Sequence, residues 1–202
     1  MADRDDTGKA MHPDQFLELL RDVRSAADRR MKEQYDRSLP FGDALFDRWE
    51  RARALGFEDG ASIYDSALVY GDVSAGRNTW IGPNTLLDGS GGGISIGAFC
   101  SISTGVHIYT HDTVMWALSG GTAPRHTAPV SIGDCCYIGS QSVIAAGVSI
   151  ASQCVVAANS FLNRDVPDRT IVGGTPARPI GRVIVDGDEI TLSMGSGDAP
   201  QA

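Results

Sequence analysis

Ile132-Gly-Asp-Cys-Cys-Tyr-Ile138-Gly-Ser-Gln-Ser-Val-Ile144-Ala-Ala-Gly-Val-Ser-Ile150-Ala-Ser-Gln-Cys-Val-Val156-Ala-Ala-Asn-Ser-Phe-Leu162 carries an aliphatic residue at every sixth position. Four places after each aliphatic stands a small or β-branched residue: Cys136, Ser142, Val148, Cys154, Ser160 and Val166. The same frame fits upstream at Ile63, Val69, Ala75, Ile81 and Leu87, with Ala67, Val73, Thr79 and Thr85 in the small slot. A glycine-rich insertion, Ser90 to Gly93, breaks the phase, which resumes at Ile96, Ile102 and Ile108 with Cys100 and Val106.

A period of six is neither the 3.6 of a helix nor the 2 of an isolated strand. It describes a short strand and a turn, repeated, and internal repeats of this kind point to a solenoid. Three units close one triangular coil of roughly eighteen residues, and each coil pairs its backbone with the coil below. The aliphatic fills the prism and the small residue fits the corner. The expected fold class is therefore an all-β solenoid.

The chain of 202 residues suits one domain with a short appendage; 42% of its residues are hydrophobic, which allows a sizeable core. Its net charge of −8 opposes partnership with nucleic acid or an anionic membrane, both of which require clustered cations. The start, MADRDDTGKA, lacks the basic and apolar regions of a secretory signal, so the expected location is cytoplasmic. Four cysteines without a C-x-x-C pair give no zinc framework; Cys100, Cys136 and Cys154 read as inward-facing and Cys135 as outward-facing.

Residues 1–60 read as a helical cap over the first coil. Phe16, Leu19, Leu20, Val23, Ala27, Met31 and Tyr35 form an apolar stripe at helical spacing, and Pro13 and Asp14 suit a first turn. A second helix carries Leu45, Trp49 and Ala52 and stops at Gly56. The solenoid spans residues 61–182. A hairpin about Asp186-Gly187 and a disordered tail from Ser193 fill residues 183–202.

Residues 112–129 lose the hexad pattern and read as an excursion from the prism wall, where sites tend to lie. His111, at its start, falls at a corner position facing outward. A histidine there can serve as general base, taking the proton from a hydroxyl or amine. Asp112 is a candidate to orient the site, and Trp116 and His126 are candidates to touch an acceptor. His107 lines a corner, and the spacing of His107, His111 and His126 does not match the zinc site of the γ-class carbonic anhydrases. No G-x-S-x-G elbow is present, and no metal is expected.

The repeat, together with Tyr109-Thr-His111-Asp112 before the excursion and Pro129-Val-Ser-Ile-Gly-Asp-Cys-Cys-Tyr-Ile-Gly-Ser140 after it, resembles the hexapeptide-repeat acyltransferases. Within that family it is similar to sugar and galactoside O-acetyltransferases and nucleotide-sugar N-acetyltransferases. The resemblance implies a left-handed parallel β-helix and a homotrimer with sites between subunits. It also implies transfer of an acetyl group from acetyl-CoA, as co-substrate, to a sugar or nucleotide-sugar acceptor, with His111 as base. By the same resemblance the Ser140 amide holds the oxyanion and Asp88 contacts acceptor hydroxyls. Tyr137, Gly139, Ala157, Ala158 and Ser160 line the donor groove, and Arg164, Arg178 and Arg182 meet the coenzyme's phosphates. N-acetylation of a nucleotide-linked amino sugar and a non-catalytic scaffold stand as the alternatives.

Overall fold

The computed structural model describes residues 12–195 and divides the chain into two compact units, one ending at Asp47 and the other beginning at Arg48. Residues 1–11 of the expected cap and most of the expected tail lie outside the described residues. Ser193 and Met194 belong to a strand.

The first unit holds α1 (Pro13–Tyr35) and α2 (Phe41–Leu45). His12 caps α1 reciprocally with Gln15, Pro13 opens it, and Asp36 ends it at φ 51°. Such a cap satisfies N–H groups that the first turn leaves without partners. Arg30 Nη2 donates to the Ala44 carbonyl at 2.8 Å, tying α2 to α1. The single second helix expected over Leu45 to Ala52 is instead two: Phe46 is extended at φ −94°, ψ 138°, and α3 (Arg48–Ala54) starts afresh in the second unit. α3 lies on the first coil, where Ala52 and Phe57 join Ile63 and Ala67 in the core. The Arg51 guanidinium donates to the carbonyls of Tyr64 and of Ala67, the latter at 2.7 Å. Those carbonyls sit at the end of the coil stack, where the following β-ladder cannot serve them.

The second unit is a parallel coil with three faces. On the first face, Ser62–Ile63, Trp80–Ile81, Ser101–Ile102, Tyr137–Ile138, Val155–Val156 and Ile171-Val172 pair in register. On the second, the pairs are Leu68-Val69, Leu86-Leu87, His107-Ile108, Val143–Ile144 and Phe161–Leu162. The third carries Ser74-Ala75, Ser95-Ile96, Ser131-Ile132 and Ser149–Ile150, with Val166 bridged to Ile150. One coil is eighteen residues where nothing intervenes, as from Ile138 to Val156. Ile81 to Ile102 takes twenty-one, the difference being the glycine-rich insertion, and Ile102 to Ile138 takes thirty-six because it contains the excursion.

The period-six aliphatics fill the prism: Ile63, Ile81, Leu87, Ile102, Ile108, Ile138 and Ile144 are wholly buried, and the small slots Cys136, Ser142 and Cys154 lie with them. Eight corners turn on a non-glycine residue in the left-handed region, one place before the inward-facing small residue. Asn78, Asn84, Phe99, Cys135, Gln141, Gln153, Asn159 and Arg169 occupy it at φ 55–61°. Asparagine tolerates that conformation; a larger side chain costs on the order of 1 kcal/mol. Corner carboxylates staple coil to coil: Asp134 accepts from Ala98 N at 2.7 Å, Asp168 from Ser152 N at 2.7 Å and Asp165 from Ser149 N at 2.8 Å. Beyond the last coil, Thr170–Gly174 pairs antiparallel with Ala177–Asp186, which turns at Gly187 and pairs with Glu189–Met194.

Candidate active site

The second face ends at Ile108 and Tyr109, and the third resumes at Val130. Between them the chain leaves and returns through a short antiparallel ribbon, His111–Asp112 against His126–Thr127, closed at its base by Ala128 N donating to the Thr110 carbonyl at 2.9 Å. His111 is thus a ribbon residue and does not occupy a corner turn, and its side chain is 22% exposed. Beyond the ribbon lies α4 (Val114–Leu118), with Val114, Met115, Trp116 and Leu118 all exposed.

The glycine-rich insertion folds back onto this base. Gly91 N donates to Thr110 Oγ1 at 2.8 Å, and Thr110 Oγ1 donates to the Asp88 carbonyl at 2.6 Å. Only glycine fits at 91, because a Cβ would lie 2.3 Å from Thr110 O and 2.8 Å from His111 Cβ. The result places the Asp88 carboxylate, 12% exposed, beside the imidazole: Asp88 Oδ2 is 3.6 Å from His111 Nδ1. Ser90 completes the group. Its N–H and its hydroxyl both donate to Asp88 Oδ1, at 3.1 Å and 2.6 Å, and its Oγ lies 3.5 Å from His111 Nδ1. Sequence reading set Asp88 against an acceptor; its carboxylate here faces the histidine. It overlooked Ser90, whose only signal was the phase break itself. It also overlooked Tyr70, half exposed and in register with Asp88 on the coil beneath, with Tyr109 on the coil above.

Such a group can act as a base. A carboxylate at Nδ1 holds the proton there and leaves Nε2 with its lone pair available, the arrangement a general base requires. Asp112 forms a second pair, its Oδ2 being 3.2 Å from His126 Nδ1, and its Oδ1 accepts from Val114 N at 3.0 Å. That pair is on the adjoining ribbon residue, is about half exposed, and stands apart from the Asp88 group. His107 lies on the second face with its Nδ1 3.4 Å from the Tyr109 hydroxyl.

The remaining expected residues lie elsewhere on the coil. Ser140 sits in the turn joining the first face to the second, and His111 follows the far end of the second face, so one face separates them within the chain. Tyr137 is exposed, as is Ala158, while Ala157 is half-buried. Gly139 is buried against Ala158 N, which a Cβ would approach to 2.5 Å. Ser160, expected along the donor groove, has its side chain turned into the coil. It is 2% exposed, its hydroxyl donates to the Ala157 carbonyl at 2.7 Å and accepts from Gly174 N at 3.1 Å, so it closes a corner. Arg164, Arg178 and Arg182 are exposed and, among the described residues, form no ion pair. A shallow groove on the third face is lined by Ser131, Gly133, Ser149, Ala151 and Pro167. The ionisable side chain in its lining is Asp165, whose Oδ1 accepts from Ser149 N at 2.8 Å.

Comparison with known proteins agrees with this architecture. Residues 129–164 match the family described as the hexapeptide repeat of succinyl-transferase. A hexapeptide-repeat-containing acetyltransferase from Vibrio cholerae, solved with acetyl coenzyme A, is 29% identical with TM-score 0.61, covering 87% of this chain and 94% of that one. AntD, an N-acyltransferase from Bacillus cereus solved with dTDP-4-amino-4,6-dideoxyglucose and coenzyme A, is 25% identical with TM-score 0.55, covering 65% and 86%. Serine acetyltransferase 2 of Arabidopsis thaliana is 35% identical over 108 residues, covering 54% of this chain and 32% of the relative. The chain spans 26% to 62% of the length of the first curated relatives it matches. Its repeat, its three-faced parallel coil and these likenesses make the chain similar to the hexapeptide-repeat acetyltransferases.

Proposed function

We propose that the protein transfers an acetyl group from acetyl-CoA to a hydroxyl or amino group of a sugar, with His111 as general base. The observation that carries this reading is the Asp88–His111 pair at the base of the excursion. Acetyl-CoA supplies the activated thioester. The acceptor approaches Nε2 of His111, which takes its proton as the acceptor oxygen or nitrogen bonds to the thioester carbon. Collapse of the tetrahedral species breaks the carbon–sulfur bond, and the proton passes from His111 to the departing thiolate. The acceptor leaves acetylated and the coenzyme leaves as the thiol. Tyr70, beside Asp88, offers an aromatic face to a sugar ring.

The donor side is read on the other corner. Among the described residues no acceptor takes the Ser140 N–H, which suits it to a developing oxyanion; such a donor contributes about 3 kcal/mol. Tyr137, Ala157 and Ala158 would border the pantetheine, and Arg164, Arg178 and Arg182 would meet phosphates. Gly139 keeps the backbone of its turn close to the next coil. Since His111 and Ser140 lie at opposite ends of one face, a site using both takes them from two copies of the chain. This supports the homotrimer, and the hand of the coil belongs to the same reading: left-handed. N-acylation of a nucleotide-linked amino sugar is the second reading, supported by the likeness to AntD. Excursion side chains Trp116, Asp112 and His126 would border the acceptor.

Thiol release from acetyl-CoA, measured across free sugars, nucleotide-linked sugars and nucleotide-linked amino sugars, tests the proposal. His111→Ala is expected to lower acceptor-dependent release by about a hundredfold or more. Unchanged release in that variant removes His111 as base. If no acceptor supports release and calorimetry finds no acetyl-CoA binding, the scaffold reading replaces this one.

A further inference from the structure

We propose that Ser90 is a positioning residue that fixes the tautomer of His111, an inference that rests on the reading of His111 as base. The argument is a proton count. Ser90 has one hydroxyl proton, and the 2.6 Å contact to Asp88 Oδ1 uses it. The same oxygen therefore meets His111 Nδ1, 3.5 Å away, with a lone pair. Asp88 Oδ2, 3.6 Å from Nδ1, presents a second acceptor. Two acceptors converge on one ring nitrogen, and an imidazole answers them only with the proton on Nδ1. The lone pair is then on Nε2, where the acceptor proton has to go.

Either acceptor alone would be a loose partner, since both distances exceed an ordinary hydrogen bond. Ser90 tightens the arrangement from both sides. Its N–H and hydroxyl pin Asp88 Oδ1 and so aim Oδ2 at the ring, while its oxygen shares the ring N–H. Ser90 itself is set by the insertion, with glycine on either side. At Gly89 a Cβ would come within 2.0 Å of the Asp72 carbonyl, and at Gly91 within 2.3 Å of that of Thr110. The glycines let the insertion lie flat on the coils, and the serine is the one residue of Gly89 to Gly93 with a side chain. No proton leaves Ser90 in the reaction; the proton that moves goes from the acceptor to Nε2.

The test is imidazole nitrogen NMR on the full chain labelled with ¹⁵N-histidine, alongside steady-state kinetics, for Ser90→Ala and Ser90→Thr. His111 is one of four histidines, and its signals are those absent from His111→Ala. The wild-type protein is expected to show His111 with the proton on Nδ1. In Ser90→Ala that population falls in favour of the Nε2–H form, and kcat falls about tenfold with the KM for acetyl-CoA unchanged. Ser90→Thr keeps the hydroxyl and restores both; the site is exposed, so the added methyl has room. An Ser90→Ala protein with an unaltered tautomer overturns the proposal, as does a rise in acceptor KM alone, which would make Ser90 an acceptor contact. A threonine variant as impaired as the alanine variant also overturns it. The spectra need no turnover, so they decide the role of Ser90 even if His111→Ala shows that the catalytic reading is wrong.

Discussion

Four cysteines illustrate how position in the coil decides the chemistry open to a side chain. Cys100, Cys136 and Cys154 occupy one inward column on successive coils, each 0–2% exposed. Hydrogen bonding to Cys100 and Cys154, with burial added, pushes the Cys136 thiol far up. The same contact draws the Cys154 thiol down to about 7, against the opposing effect of burial. Acidity favours reaction at Cys154, but the thiolate must also be reached, and in a closed prism access decides. Cys135, one residue from the column, is exposed at its corner. A thiol reagent applied to the native protein is expected to label one cysteine per chain, Cys135, and all four after denaturation. Rapid labelling of a second thiol would show that the coil opens locally. The inward and outward cysteines were legible in the sequence because they fall on opposite sides of the six-residue frame.

The excursion and the glycine-rich insertion work as one element although eighteen residues, 94–111, separate them in sequence. Thr110 joins them, bonded to Gly91 N and to the Asp88 carbonyl. Gly91→Ala is expected to displace the ribbon, lowering kcat by more than tenfold, while the melting temperature moves by only a few degrees. The new methyl meets the ribbon and not the prism core, so the loss is one of geometry at the base. An alanine variant with full activity would separate insertion from site. This contact was not legible in advance. Periodicity reports which residues face inward, so the coil, its core and the place of the excursion could be read from spacing. It says nothing where the period fails, and the residues that aim at His111, Asp88 and Ser90, stand at such a failure. The break between α2 and α3 was hidden for a related reason: Phe46 has helical neighbours, and only its extended backbone divides them.

At the scale of the whole molecule, the separation of His111 from Ser140 makes each proposed site a joint product of neighbouring subunits. His111→Ala can be mixed by co-expression with Ala158→Trp, which fills the donor side. A cyclic trimer with random equal mixing then pairs an intact histidine with an intact groove at about a quarter of its interfaces. Activity near a quarter of wild type is expected from the mixture, and activity no higher than that of either variant alone would assign both halves to one chain. The ribbon carries a further consequence. Thr110 and Ala128 are hydrogen-bonded neighbours, so along the prism the path from one to the other is a single step, whatever hangs from it. Loop closure penalises added length only weakly, by about 0.6 kcal/mol for each doubling. The thirteen residues between Asp112 and His126, which face each other across the ribbon, therefore behave as an exchangeable cassette: evolution or a protein engineer can substitute another there, altering which molecule is received while His111 and the coil stay in place.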